Sequence, residues 1–349
     1  MKNRANEEIE LINRFFRDYR INASVAETGS HVAGKSYIVF NVNLRAGARI
    51  TLIESRLREL AEILSAHRAQ PTPIRLRHMP LALEVPHPHP KPLSMPPLRR
   101  EPPMMALGQA YGFDGTISEE RIDLNRTPHT LIAGATGSGK SVLLSAMLAS
   151  LCLGTSPNEV ELMCIDMKNE DLLPFQPLSH MRRMATSMGD AVDAVEYIYH
   201  EKERRVLTGK RGNRLILVID ELAELARNKE VMRQLASILA IGRSKNINVL
   251  AATQKPLGAI VGSVAKANFT CRLVGRVMSP DDSRVAAGIS GVGAEYLPGQ
   301  GAFLRIEGMD VRRFQAYYIS DVDPWIRTIT DRWWSTPSFL AMSSKSEVL

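Results

Sequence analysis

Gly134-Ala135-Thr136-Gly137-Ser138-Gly139-Lys140-Ser141 is the stretch from which the fold can be read. It fits the pattern G-x-x-x-x-G-K-[ST], in which glycines let successive backbone N–H groups curl around a phosphate. The context is the one this chemistry requires. An apolar strand, Leu131-Ile132-Ala133, runs into the loop, and an apolar helical run starting at Ser141 and Val142 leaves it. The N-terminus of that helix adds partial positive charge where a polyphosphate would lie. Residues 134–142 therefore read as a cradle for a nucleotide's phosphates, with Lys140 bridging the β- and γ-phosphates and the Ser141 hydroxyl holding Mg²⁺.

Two later runs supply partners for the loop. Leu215–Ile219 is a buried-strand pattern that ends in Asp220-Glu221. Asp220 reads as the acid that orients Mg²⁺ through water, and Glu221 as the carboxylate that polarises the attacking water. Alone, such a run also describes a strand followed by a helix-capping Asp. The phosphate loop about 80 residues upstream turns the reading to catalysis. Ile247–Thr253 is the next strand, and Gln254 after it reads as a sensor of the γ-phosphate or its water, where an isolated Gln would be a loop residue.

The same texture extends on both sides. Apolar runs at Thr130–Ala133, Val160–Ile165, Leu215–Ile219, Ile247–Ala252 and Cys271–Val277 alternate with helical patterns at Ser141–Leu153, Ala191–Leu207, Glu221–Ala226 and Val231–Ile241. Alternation of this kind indicates an α/β domain with a mainly parallel sheet covered on both faces. We place it over residues 106–325, with a C-terminal tail over 326–349. Residues 1–105 read as a small α+β domain with a Pro-rich linker. It has Ile9, Ile12, Phe16 and Tyr19 at helical spacing, a strand at Tyr37–Leu44, a turn at Arg45-Ala46-Gly47 and a second helix over Leu52–Ser65. From Pro71 to Pro103 lie 11 of the 20 prolines, so this stretch is expected to be extended linker or edge structure with no central strand.

Composition narrows the class. The chain has 349 residues, 44% apolar and 23% charged, which excludes a disordered, collagen-like or disulfide-rich protein. The longest apolar stretch, near Val142–Leu153, falls short of the about 20 residues a spanning helix needs. No direct membrane insertion and a cytoplasmic setting are expected. Cys152, Cys164 and Cys271 have no metal-ligand spacing and read as buried thiols. His87 and His89 have no third ligand nearby, so they read as no metal site. The net charge is +7, and residues 1–103 hold 16 Lys+Arg against 10 Asp+Glu. That basic front suits a polyanionic partner or a merely soluble surface.

Among nucleotide machines, Asn228-Lys229-Glu230-Val231 lacks the Asp of a guanine-reading Asn-Lys-x-Asp, and no Leu-Ser-Gly-Gly-Gln is present. A GTPase and a transporter-type ATPase are therefore set aside. A small-molecule kinase would not need Glu221.

The run Pro128–Ser141, together with Ile165-Asp-Met-Lys168, Glu201-Lys-Glu-Arg-Arg205, Asp220-Glu221, Arg243–Pro256, Lys266-Ala-Asn268 and Asp282-Ser-Arg284, resembles the FtsK/SpoIIIE DNA translocases in order and spacing. The front unit resembles the family's smaller α domain less strongly. The resemblance implies a RecA-like P-loop ATPase, assembled as a homo-oligomeric hexameric ring around double-stranded DNA, with ATP between neighbouring subunits. By position, Arg243 would reach the neighbour's γ-phosphate. Lys255, Lys266 and Arg284 would face the DNA pore, where a solvated surface charge is the ordinary alternative. Pro280 stands where the family has a further basic pore residue, so that contact is expected to be lost or moved to Arg276. The loop Thr208–Asn213 is short, and the resemblance finds neither a membrane-spanning front nor a winged-helix end. A separate membrane anchor or DNA-processing partner is the resulting expectation. The function implied is ATP-dependent double-stranded DNA translocation. The alternative is a coupling ATPase of a conjugation or secretion system.

Overall fold

The structure is a computed structural model that describes residues 2–33, 36–78, 80–96, 102–112, 116–254 and 268–334. The N-terminal elements are α1 (Lys2–Asp18), β1 (Ala23–Ala33), β2 (Tyr37–Leu44), α2 (Ile50–Glu54), α3 (Leu57–Arg68), β3 (Arg75–His78) and β4 (Leu81–Pro86). The four strands form an antiparallel sheet in the order β1-β2-β4-β3. Side chains alternate across a strand, so β2 divides its apolar residues between two faces. Ile38, Phe40 and Val42 meet Ile9, Ile12 and Phe16 of α1 and Leu60 and Leu64 of α3. Tyr37 and Val39 face the other way and pack with Ala82 and Tyr111.

Two expectations need correction here. The single helix expected over residues 52–65 is two helices, α2 and α3. The Ser55 hydroxyl donates to the Leu52 carbonyl at 3.0 Å, a local bond that competes with helix continuation. The Pro-rich stretch does hold an internal strand, since β4 lies between β2 and β3. Pro80 and Pro86 stand just before β4 and at its last residue, so its interior keeps every N–H needed for pairing.

The second sheet begins with β5 (Leu93–Ser94), β6 (Met104–Tyr111), β7 (Ile117–Asp123) and β8 (His129–Ala133). It continues through α4 (Lys140–Gly154), β9 (Val160–Ile165), β10 (Met181–Ala185), α5 (Met188–Thr208) and β11 (Arg214–Ile219). The remaining elements are α6 (Leu222–Leu225), α7 (Lys229–Ile241), β12 (Ile247–Thr253), β13 (Cys271–Val274), α8 (Pro280–Ala287), β14 (Ala302–Glu307), β15 (Asp310–Tyr318) and α9 (Asp323–Arg332). The 11 strands run β10-β9-β11-β12-β8-β13-β14-β15-β6-β7, with β5 beside β15. From β10 to β13 the pairing is parallel. From β13 through β14, β15, β6 and β7 it is antiparallel. The α/β, mainly parallel, RecA-like expectation holds, and the antiparallel wing extends it.

Alternation explains the unbroken apolar strands. In β11, Ile216 and Val218 enter one core with α4, while Leu215, Leu217 and Ile219 enter the other with α5 and α7. A strand buried on both faces has no polar face to show. Helix α4 is buried on nearly every side, from Leu143 to Gly154, so it carries no amphipathic stripe. Each such leucine contributes about 1.5–3 kcal/mol on burial. The Trp333 indole N–H donates to the Cys152 carbonyl at 2.8 Å and seats the C-terminal helix on α4. Cys152, Cys164 and Cys271 are free and buried, and burial pushes all three thiols up, as an inert core role requires.

Candidate active site

Helix α4 starts without a side-chain cap, and its N-cap residue is Gly139, at φ 95°. The first turn of a helix carries N–H groups with no intrahelical acceptor, and among the described residues no side-chain cap fills that role here. Gly137 is also left-handed, at φ 78°. These two glycines turn the backbone so that the loop wraps a concave space. Gly139 has a second constraint. A Cβ there would lie 2.7 Å from the Gly301 nitrogen, so the loop can sit against the 299–301 turn only as glycine. The turn holds the loop through Gln300 N–H to the Gly137 carbonyl at 3.1 Å and Gly301 N–H to the Ser138 carbonyl at 2.9 Å. Sequence reading missed this buttress, although its Gly299-Gln300-Gly301 composition is a visible signal.

Strand order brings the predicted residues together. Strands β8, β11 and β12 are near neighbours, and their C-terminal ends place the loop, Asp220-Glu221 and Thr253-Gln254 side by side. The Lys140 ammonium donates to Asp220 Oδ1 at 3.0 Å and to the Asp220 carbonyl at 3.2 Å. The Ser141 hydroxyl donates to Asp171 Oδ2. Asp171 was not anticipated. It follows the Ile165-Asp166-Met-Lys168 motif, and buried Asp166 explains why. Asp166 Oδ2 accepts the Leu172 and Leu173 N–H groups at 2.9 and 3.1 Å and so folds Asp171 back toward α4. Burial pushes the Asp220 carboxyl above the ordinary carboxylate range. Lys140 opposes the rise, and Asp171 adds to it.

Glu221 is fixed at both oxygens. Its Oε1 accepts from the Thr253 hydroxyl at 2.6 Å and the Ala223 N–H at 3.2 Å, and its Oε2 accepts the Gln254 N–H at 3.0 Å. The Gln254 side-chain carbonyl takes the Thr136 hydroxyl at 3.3 Å, which links the phosphate loop to the Glu221 strand. A cleft of about 520 Å³ opens here, lined by Thr136, Lys168, Glu221, Glu224, Gln254 and Met278 among others. The residues fit a polyphosphate with Mg²⁺. An uncapped helix start and Lys140 suit the phosphates. The Ser141 hydroxyl beside two carboxylates is the hard oxygen set that Mg²⁺ takes alongside phosphate and water.

Arg243 is not in this group. It lies exposed in the turn after α7, at the N-terminal ends of β11 and β12. The length of a strand, roughly 20 Å, separates it from its own phosphate loop. Around it is a second cleft of about 560 Å³, lined by Asn125, Arg211, Arg214, Arg243 and Asn246 among others. The Glu201–Arg205 motif supports this turn. Arg205 Nη1 donates to the Lys245 carbonyl at 2.7 Å while its Nε holds Glu201 at 2.6 Å. Buried Lys202 reaches Ser237 of α7 at 2.6 Å. Asn228, weighed above as a guanine reader, caps α7 by accepting the Glu230 and Val231 N–H groups at 3.1 Å each.

Arg284 lies on α8, exposed, with Asp281 at 3.5 Å. Lys255 and Lys266 lie outside the described residues. Arg276, considered for a displaced DNA contact, stands against the phosphate loop, its carbonyl accepting the Ala135 N–H at 2.8 Å. Among the described residues no group of three or more His, Cys, Asp or Glu could hold a metal. No helix there is long and apolar enough to cross a membrane.

The FtsK/SpoIIIE family model matches residues 99–211. The DNA translocase SftA of Bacillus subtilis (strain 168) is 30% identical over 347 residues, covering 90% of this chain and 36% of that protein. The chain thus spans about a third of that relative's length. Among solved structures, the pCW3 conjugation coupling protein TcpA, in a monomer form with ATPγS, aligns with TM-score 0.61 and 21% identity over 94% of this chain and 99% of that one. EssC (ATPases 2 and 3) from Geobacillus thermodenitrificans aligns with TM-score 0.64 and 15% identity over 71% of this chain and 53% of that one. These two structures agree on the fold. The motifs, the phosphate-loop geometry and the sequence matches agree on the lineage, and the chain belongs to the FtsK/SpoIIIE family.

Proposed function

We propose that the chain is an ATPase that hydrolyses ATP between the subunits of a homo-oligomeric, hexameric ring and uses the energy to move double-stranded DNA. The observation that carries this is the separation of Arg243 from its own phosphate loop, with Lys140, Asp220 and Glu221 at one end of the sheet and Arg243 at the other. A second subunit stacked head to tail would bring the two ends together.

In this reading residues 134–142 cradle the phosphates, and Lys140 holds the β- and γ-oxygens. Ser141 and Asp220, with Asp171 beside them, hold Mg²⁺, which when bound offsets phosphate charge. Glu221 polarises the attacking water, and Gln254 reports γ-phosphate occupancy to the Glu221 strand. The neighbour's Arg243 spreads the charge of the transferring phosphoryl group, for which a planar, permanently charged guanidinium is suited. Lys255, Lys266 and Arg284 contact backbone phosphates, which position DNA without reading its sequence. Residues 1–105 form the small domain, 106–325 the ATPase domain and 326–349 a tail, all working in the cytoplasm.

A coupling ATPase of conjugation or secretion would share this phosphate site, and the fold likeness to TcpA and EssC suits both readings. The test is ATP turnover with and without long linear duplex DNA. DNA translocation predicts stimulation by naked duplex. It also predicts binding that weakens with salt at a log–log slope of about −0.9 per phosphate contact. Turnover indifferent to duplex DNA would favour protein cargo.

A further inference from the structure

An arginine that acts across an interface has to be delivered in one direction, so what holds the turn beneath it matters as much as the guanidinium. Residues 242–245 form that turn, and Gly242 directly precedes Arg243. Gly242 is buried, with φ −51°, a helical value open to any residue, so its backbone does not call for glycine. Space does. A Cβ there would lie 2.8 Å from the Ile247 carbonyl oxygen and 3.3 Å from His129 Cε1. The turn that carries Arg243 therefore rests directly against the His129 ring.

His129 is itself held firmly. It is the buried first residue of β8, and its Nδ1 accepts the Val249 N–H of β12 at 3.1 Å. Burial lowers the imidazole to about 4, so the ring is neutral near pH 7 and Nδ1 can serve as that acceptor. The Leu239 backbone, in the last turn of α7, is close enough to oppose the fall. The Pro128 carbonyl beside it accepts the Asn248 side-chain amide at 2.8 Å. The ring thus fills the corner between the start of β8, the start of β12 and the end of α7.

We propose that His129 is a positioning residue for Arg243: its ring, seated against Gly242, sets the direction in which a subunit presents Arg243 to its neighbour. The proposal rests on the reading of Arg243 as an arginine acting in trans. Arg205 braces the far side of the same turn through the Lys245 carbonyl at 2.7 Å, and His129 braces the side next to Arg243. Strand β8 runs from His129 to Ala133, just before the phosphate loop. The strand that feeds a subunit's own phosphate loop therefore also seats the arginine it lends to the next subunit.

The experiment uses the full chain. His129→Asn keeps an acceptor for the Val249 N–H, because an Asn Oδ1 stands where the His Nδ1 does, and it removes the part of the ring that meets Gly242. ATP binding should persist, and turnover should fall about 10²-fold, the scale of a misplacement of about 1 Å. Mixing shows through which residue the loss runs. With Glu221→Gln subunits, His129→Asn subunits should regain turnover, since the intact Glu221 site of the first kind takes the well-aimed Arg243 of the second. With Arg243→Ala subunits they should regain none, because every arginine in that ring is missing or misaimed. A residue acting on its own phosphate loop gives the reverse pattern. That reversal, or unchanged turnover in His129→Asn, overturns the proposal. Gly242→Ala, which pushes the turn off the Ile247 carbonyl, should mix in the same way as His129→Asn, and it decides between the same outcomes if His129→Asn does not fold. The reference is the mixture of Arg243→Ala with Glu221→Gln. If that mixture regains no turnover, the reading of Arg243 fails and this proposal with it. If it recovers while neither His129→Asn nor Gly242→Ala recovers with Glu221→Gln, the role of His129 alone is overturned.

Discussion

At the C-terminal ends of β8, β11 and β12 the side chains are an ammonium, hydroxyls and carboxylates, packed into one network from Lys140 to Gln254. At the N-terminal ends of β11 and β12 they are the arginines 211, 214 and 243 around an open cleft. The first end is internally satisfied. Lys140 has Asp220, Ser141 has Asp171, and Glu221 has Thr253 and Gln254. At the second end Arg214 is spoken for, by the Leu124 carbonyl at 3.1 Å and Asn248 at 2.6 Å, while Arg243 and Arg211 are exposed. A parallel sheet separates the two chemistries by its own strand length. In the proposed ring they cooperate across molecules, and each prediction below changes one end and watches the other.

The largest effect is expected at the arginine end. Arg243→Ala should lower ATP turnover by about 10³-fold or more, the usual worth of an arginine acting in trans. ATP binding should persist, because the phosphate loop is untouched. Glu221→Gln at the other end should lower turnover by about 10²–10⁴-fold with ATP binding retained, since it removes the carboxylate but keeps the shape. Mixing the two dead variants sharpens the comparison. A mixed ring contains interfaces that pair an intact Glu221 with a neighbour's intact Arg243, so some turnover should return. No recovery on mixing, together with turnover independent of protein concentration, would place both residues in one chain's site and remove the head-to-tail argument.

The phosphate end was legible because its chemistry is local. Eight consecutive residues, a strand before and a helix after are enough to read the 134–141 loop, and Asp220-Glu221 follows a plain apolar strand. The parallel half of the sheet was legible for the same reason, since strands buried on both faces read as apolar runs. Most of the rest depends on long-range placement. Asp171 reaches Ser141 only because buried Asp166 bends the chain between them. Gly301 matters only because Gly139 packs on it. The antiparallel wing was missed because Asp310–Tyr318 carries Arg312, Arg313 and Gln315, which pair with Glu120, Glu84 and Gln300 from distant segments. Those polar residues hide a strand from any reading that looks for apolar runs.

Asp171 itself gives a smaller effect at the phosphate end. Asp171→Asn keeps a hydrogen-bonding side chain beside Ser141 but removes one charge. Turnover should fall about tenfold and the Mg²⁺ concentration for half-maximal activity should rise, as for other residues that orient a metal's direct ligands. The Arg243 end should be unaffected, so Asp171→Asn subunits should still rescue Arg243→Ala subunits, whose intact Glu221 site takes the Arg243 of an Asp171→Asn neighbour. An unchanged Mg²⁺ requirement would reduce Asp171 to a structural partner of α4.

The smallest effect concerns acid, and its sign differs between the two ends. His129 begins β8 and His180 directly precedes β10, so both lie at the arginine end. His129 Nδ1 accepts the Val249 N–H at 3.1 Å, and His180 Nε2 lies 2.8 Å from the Thr155 carbonyl. Burial lowers each imidazole to about 4. In the unfolded chain each protonates near its ordinary value of about 6.5, so between those values the unfolded state binds more protons. The contribution of these two histidines should therefore be flat above pH 7. That contribution should fall as pH drops through 6.5 toward 4, by at most about 1.4 kcal/mol per pH unit for each histidine. Asp220 works the other way, because its raised carboxyl takes up a proton more readily folded than unfolded. Urea midpoints at pH 7.5, 6.5 and 5.5 measure the balance. His180→Gln should flatten the decline between 6.5 and 5.5 by up to about half, while Asp220→Asn should steepen it slightly. A midpoint that stays constant from pH 7.5 to 5.5 in Asp220→Asn as well as in the unaltered chain would mean that neither histidine is held neutral at the arginine end.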